Sequence, residues 1–183
     1  MGATSVATTT LISVQVPAVL RIMPGRGHRV YATQTVRVSK TIEAPLRYVY
    51  DWCTDYRSDD GKFSRQRPRP RFRTVKISPR RVLRIRIAPG EGAEPAIAVD
   101  VLQLSPPNAW HTNQIDEQDL QVVDYKLTAL SREKTRLDLL VTERYISPKY
   151  PSRVETARRV RATWDRLAGF LEERYRSGKP AKG

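Results

Sequence analysis

Cysteine is nearly missing from this sequence: Cys53 stands alone among 183 residues. No intrachain disulfide can form and no thiolate zinc cage can be built, which suits a reducing, cytoplasmic setting. Histidine is almost as scarce, with only His28 and His111, so paired histidine ligands for a metal are excluded as well. No apolar run approaches the roughly 20 residues that a helix needs to cross a bilayer. The longest, LISVQVPAVL at 11–20, is interrupted by Pro17. Neither G-x-S-x-G nor H-E-x-x-H occurs, and PGEG at 89–92 lacks the strand–turn–helix setting of a phosphate loop. No cofactor is therefore expected, and no metal.

Acidic residues are also missing from the first 42 positions, Glu43 being the first. Arg21 and Arg26 follow the apolar run, whereas a secretory signal carries its positive charge ahead of it. Residues 1–28 are expected to be a disordered or loosely packed extension. A start at Met23 and an organellar targeting signal are the alternatives. Residues 29–177 then form one domain, and 178–183 a flexible tail.

What the chain has in excess is positive charge: 33 Lys+Arg against 19 Asp+Glu, formally +14. Such an excess concerns partners and solubility rather than fold. Eleven basic residues and no acid lie between Gly61 and Gly90. Within this stretch Arg65, Arg67, Arg69, Arg71 and Arg73 alternate strictly, so an extended chain projects them to one side. Arg84 and Arg86 alternate with Leu83, Ile85 and Ile87, which assigns the arginines to solvent and the aliphatic residues to the interior. The basic face is a solvated strand surface, or a docking surface for an anionic membrane, an acidic partner or, less directly, nucleic acid. Phe63 and Phe72 are too few for a single-strand stacking platform.

Periodicity supplies the elements. VYATQTVRVSKTI at 30–42 is β-prone with period two; Lys40 breaks the phase, which predicts a bulge or a strand end there. Pro45 suits the first turn of a helix, and Leu46, Val49, Tyr50 and Cys53 form its apolar stripe. Pro68 and Pro70 force an extended edge. Strands follow near 82–87, 96–104, 109–116, 120–130 and 135–146, about seven in all, joined mostly by short turns that favour an antiparallel meander. Ser152 and Glu155 form a capping box that opens a long amphipathic helix. Ala157, Val160, Trp164, Leu167, Ala168, Leu171 and Tyr175 make its apolar face; Arg158, Arg159, Arg161, Arg166, Glu172 and Glu173 make the polar one. Gly178 and Pro180 end it.

With VRVSKTIEAPLRYVYDWCTDY at its head, this order of elements resembles the START/Bet v 1-like superfamily, which includes polyketide cyclases and lipid-transfer proteins. The matching features are the strand from Val36, the Ala44-Pro45 helix start, Val49, Trp52 and Asp55, and the resemblance spans about 33–176. It implies an α+β helix-grip fold: a curved antiparallel sheet wrapped around the C-terminal helix, closed at one end by the short helix and enclosing a cavity. The implied function is binding, or binding and transport, of a small hydrophobic molecule such as a lipid, isoprenoid or polyketide. A cyclase- or dehydratase-like enzyme is the alternative.

Periodicity nominates the lining of such a cavity. The sheet offers Phe72, Leu83, Ile85, Val99, Val101, Trp110, Tyr125, Leu139 and Val141; the helices offer Trp52, Trp164, Leu167 and Leu171. Ordinary core packing is the plain alternative for each. Asp100, Asp124, Tyr125 and His111 are the acid–base candidates. Cys53, beside aromatic residues, reads as a small buried hydrophobe.

Overall fold

The computed structural model describes residues 30–56, 68–88, 95–116 and 119–181. Of the basic run, Arg65 and Arg67 lie outside the described residues, as does the 1–28 extension. Strand β1 (Ala32–Ile42) leads into the short helix α1 (Leu46–Cys53). Six strands follow: β2 (Arg71–Ser78), β3 (Arg81–Ala88), β4 (Ala96–Ser105), β5 (Ala109–Ile115), β6 (Asp119–Ser131) and β7 (Lys134–Tyr145). Helix α2 (Arg153–Arg176) closes the chain.

All seven strands pair antiparallel in one open sheet of order β1-β7-β6-β5-β4-β3-β2. Short hairpins dictate this order: β4 turns back at the Ser105–Ala109 pair and β6 at Ser131–Lys134, so sequential strands become neighbours. β1 closes against β7 instead, and Pro68 and Pro70 precede β2, which forms the opposite edge of the sheet. Lys40 marks neither a bulge nor a strand end. β1 pairs with β7 without interruption from Ala32 to Ile42, and Lys40 keeps phase with Val36, Val38 and Ile42. Its ammonium reaches Asp165 of α2 at 2.8 Å, which explains a charged residue in an otherwise apolar phase.

Helix α2 begins with the reciprocal capping box: Ser152 Oγ accepts from the Glu155 amide, and the Glu155 carboxylate accepts from the Ser152 amide at 2.7 Å. It ends in a Schellman motif at Gly178, whose φ of 67° only glycine adopts without cost. The Gly178 amide donates to the Tyr175 carbonyl and the Lys179 amide to that of Arg174. Beyond this turn the Lys179 carbonyl accepts from Tyr48 Oη at 2.8 Å, tying the chain end to α1.

The helix packs chiefly on β1. Ala168 and Leu171 pack there with Val36, Val38, Ile42, Leu137, Leu139 and Val141 in the buried core. Helix α1 inserts Val49 and Tyr50 into the same core. Because α2 lies over the β1 side, the concave surface from β2 to β6 is left with space above it.

Candidate functional site

That space is a cavity of about 400 Å³, bounded by the concave sheet, the C-terminal end of α1 and the inner side of α2. Its size falls in the range of small-molecule sites. One part of its wall is aromatic. Trp110 stacks on Tyr125 with centroids 4.5 Å apart, Tyr125 meets Trp164 edge-on at 5.8 Å, and Tyr50 meets Trp110 at 6.1 Å. These rings link α1, the sheet and α2 in one continuous contact. Trp52, Phe72 and Leu167 complete the apolar wall.

The rest of the wall is polar, and the strand register explains it. Residues opposite one another in a ladder share a face. Thr74 opposes Arg84, Arg84 opposes Asp100, Asp100 opposes Gln114, and Gln114 opposes Gln121. Gln121 in turn opposes Glu143, which opposes Gln34. A single polar rung therefore crosses the concave face through all seven strands.

The two ends of this rung are settled differently. At the β7 end Glu143 is fully buried and its carboxylate is saturated. It accepts from Arg159 Nη2 at 2.6 and 2.7 Å, from Gln121 Nε2 at 2.6 Å, and from Tyr145 Oη. At the β3 end the rung opens into the cavity, where Arg84, Asp100, Gln114 and Gln121 are all exposed to the interior space. The Arg84 guanidinium lies 3.8 Å from the Phe72 ring centroid and 5.6 Å from that of Tyr56. Tyr56 has a φ of 43°, an unfavourable left-handed backbone for a residue with a bulky side chain, just where its ring meets Arg84.

Burial raises the Asp100 carboxyl above the usual aspartate range, against the pull of Arg84 and Arg86. One of its oxygens, Oδ1, has no hydrogen-bond partner among the described residues. Burial likewise raises the Tyr125 hydroxyl and the Cys53 thiol, so neither is ionised near neutrality. Both line the cavity.

The residues nominated by periodicity separate into three groups. Trp52, Phe72, Trp110, Tyr125, Trp164 and Leu167 line the cavity. Leu139, Val141 and Leu171 face the same side but are consumed by core packing. Leu83, Ile85, Val99 and Val101 require a correction: they lie on the convex face, where Ile85 pairs with Val99 and Leu83 with Val101. There they cover one another as half-buried cross-strand neighbours. Their partners in alternation, Arg84 and Arg86, are consequently turned into the cavity and not toward solvent.

The acid–base candidates divide as well. Asp100 and Tyr125 reach the cavity. His111 and Asp124 oppose each other on the convex face, His111 Nδ1 lying 2.6 Å from Asp124 Oδ1. Arg69, Arg71 and Arg73 are exposed, as expected, on or beside edge strand β2. On α2, Arg166 and Arg174 line the cavity, although helical periodicity had put Arg166 on the polar face.

Missed altogether were Leu102, Thr112, Tyr56, Gln114, Gln121, Thr163 and Arg174. The β4–β5 hairpin carried the signal for the first two. A turn that pairs Ser105 with Ala109 sets Leu104 opposite Trp110 and Leu102 opposite Thr112, so the face of Trp110 fixes the rest.

No protein-family model matches the sequence, and no curated protein matches it either. Solved structures do. The chain is similar to the Zhui aromatase/cyclase from Streptomyces sp. R1128, with a TM-score of 0.53 and 14% identity over 80% of this chain and 98% of that one. A START superfamily protein from Mycobacterium smegmatis gives 0.55 at 13% identity, covering 76% and 95%. Ara h 8.0201 gives 0.56 at 10% identity, covering 76% and 98%. These are likenesses of fold, and the fold they share with this chain is the helix grip.

Proposed function

We propose that the protein binds a small hydrophobic molecule, of lipid, isoprenoid or polyketide type, in the cavity beneath α2. The observation that carries this reading is the cavity itself: about 400 Å³ bounded by Trp52, Phe72, Tyr125 and Trp164. Apolar walls bind by removing ligand surface from water, at about 25 cal/mol per Å². The structural neighbours include an aromatase/cyclase and a START superfamily protein, which is in keeping with such a ligand. Native mass spectrometry and organic extraction of the purified full chain test the reading. A co-purifying hydrophobic molecule, or uptake of N-phenyl-1-naphthylamine, is expected. Protein free of adduct that also takes up none of that probe overturns it.

A second reading rests on Asp100. A carboxyl held above its usual range by burial, inside the cavity and opposite Arg84, is a suitable acid or base for a cyclisation or dehydration. Asp100→Asn that keeps ligand binding but stops turnover of an offered β-keto thioester favours this reading. Full turnover by that variant removes it. The exposed Arg69, Arg71 and Arg73 form a basic edge that suits an anionic membrane surface or an acidic partner, in a cytoplasmic setting.

A further inference from the structure

The β2–β3 hairpin carries a feature for which the cavity has no use. Every residue from Val75 to Arg81 is exposed, and Val75 and Ile77 keep 54% and 58% of their surface in water. A single exposed aliphatic residue is ordinary. Here two stand together near the tip of an edge strand, and bases enclose them. Arg71 and Arg73 precede them at alternate positions, Lys76 lies between them, and Arg80 and Arg81 follow at the turn. None of these five side chains forms an ion pair among the described residues. The backbone holds the tip in place. The β2 register shifts between Lys76 and Ser78, which leaves Ile77 without a partner on β3. The Leu104 amide donates to the Arg80 carbonyl at 2.8 Å, so the turn is anchored to β4.

The chemistry narrows the occupant. A second copy would bring two hairpins of like charge together. A nucleic-acid backbone would satisfy the bases and leave Val75 and Ile77 in water. A protein partner of standard size needs about 800 Å² on each side, more than the tip of one hairpin presents. An anionic bilayer meets both needs: its headgroup layer accepts apolar side chains, while lipid phosphates and carboxylates meet the surrounding cations. We propose that the β2–β3 hairpin docks the protein on an anionic membrane surface. Val75 and Ile77 enter the headgroup layer, and Arg71, Arg73, Lys76, Arg80 and Arg81 pair with acidic lipid. This gives the basic edge one partner and a point of insertion, and it stands apart from the cavity reading.

Co-sedimentation of the full chain with vesicles tests the proposal. Phosphatidylcholine vesicles containing phosphatidylserine are expected to bind at least about tenfold more tightly than phosphatidylcholine alone, and added salt weakens that binding. Lys76→Gln/Arg80→Gln/Arg81→Gln lowers the affinity about a hundredfold, at about fivefold per charge near the surface. Val75→Ser/Ile77→Ser lowers it about tenfold at unchanged net charge. Arg153→Gln/Arg158→Gln/Arg161→Gln, exposed on α2, removes the same charge elsewhere and leaves binding within about threefold. In a Cys53→Ala background, a nitrobenzoxadiazole dye on Ile77→Cys brightens on the acidic vesicles, and the same dye on Val154→Cys, at the far end of α2, does not. Thermal melts by circular dichroism report an intact fold in each variant. Absent or equal binding to the two vesicle types overturns the proposal, as does full binding by either hairpin variant or an equal loss in the α2 control. Capture on poly-glutamate or RNA at physiological salt without vesicle binding also overturns it. Uptake of N-phenyl-1-naphthylamine, read on the same protein, scores the cavity separately, so either reading can fail while the other stands.

Discussion

Replacing Arg159 with methionine gives a sharp test of how the polar rung is stabilised. Glu143 is 0% exposed, whereas the Arg159 side chain is 53% exposed, so the two partners stand in unequal surroundings. Removing the arginine leaves a buried carboxylate with Gln121 and Tyr145 as its remaining donors. Breaking a buried ion pair from one side costs about 3–5 kcal/mol. The two surviving hydrogen bonds place Arg159→Met at the low end, about 3 kcal/mol. Glu143→Gln leaves an arginine that can turn to water, and costs about 1 kcal/mol, the value of ordinary hydrogen bonds exchanged. The double variant, which buries no charge, lies nearer Glu143→Gln than Arg159→Met. For a domain of this size each kcal/mol corresponds to about 2–4 °C in Tm, so Arg159→Met should melt about 6–12 °C below wild type. Urea unfolding followed by tryptophan fluorescence, with thermal melts by circular dichroism, measures all three. The reasoning is refuted if Arg159→Met is no more destabilising than Glu143→Gln.

Other consequences are as direct. The Asp119 carboxyl is raised to about 6, first by burial and then by Asp116 and Glu143, with Arg159 and Arg86 opposing. The unfolded chain releases that proton near 3.9. The native state therefore holds more protons between about pH 4 and 6, and stability falls as pH rises through that window. Asp119→Asn should be more stable than wild type at pH 8, by on the order of 1 kcal/mol for a half-exposed group, and the gap should close below about pH 4; parallel urea-stability profiles for the two proteins would contradict this. Ser152→Ala removes the hydroxyl that caps the Glu155 amide and should cost about 1 kcal/mol, or about 2–4 °C in Tm, and an unchanged melt would show that the cap contributes nothing. With Arg84 and Arg86 turned inward, neither adds to the exposed basic edge of Arg69, Arg71 and Arg73, and fluorescence anisotropy with generic RNA and DNA should show no binding at physiological salt; tight, salt-steep binding would restore that reading.

The order of elements was legible because each depended on local chemistry. Ser152, Glu155 and Gly178 mark both ends of α2, Pro45 marks α1, and short hairpins place β4 to β7 side by side. The aromatic half of the site was legible too, since Trp110, Tyr125 and Trp164 are large enough to demand an interior on any register. The facing of β3 and the middle of β4 was not. Alternation in VLRIRIA says that arginine and aliphatic residues oppose each other, and hydrophobicity then assigns the arginines outward. That assignment holds where a sheet face covers a dry core. Here the concave face covers a cavity, stacked rings and a carboxylate stabilise Arg84 inside, and the aliphatic residues find cover among their cross-strand neighbours. Asp100 was the residue that could have revealed this. It shares a phase with Leu102 and Leu104 and so with Trp110, and an acid on the inner face of β4 calls for a cation opposite it on β3.

The central claim concerns which face of the sheet receives the ligand, and a crystal structure of the full chain soaked with N-phenyl-1-naphthylamine tests it most directly. The account predicts the naphthyl ring between α2 and the sheet, touching Trp52, Tyr125 and Trp164, with Arg84 and Arg86 pointing toward it. Density for the ring on the convex side against Leu83, Ile85 and Val99, or arginines of β3 projecting into solvent, would contradict it.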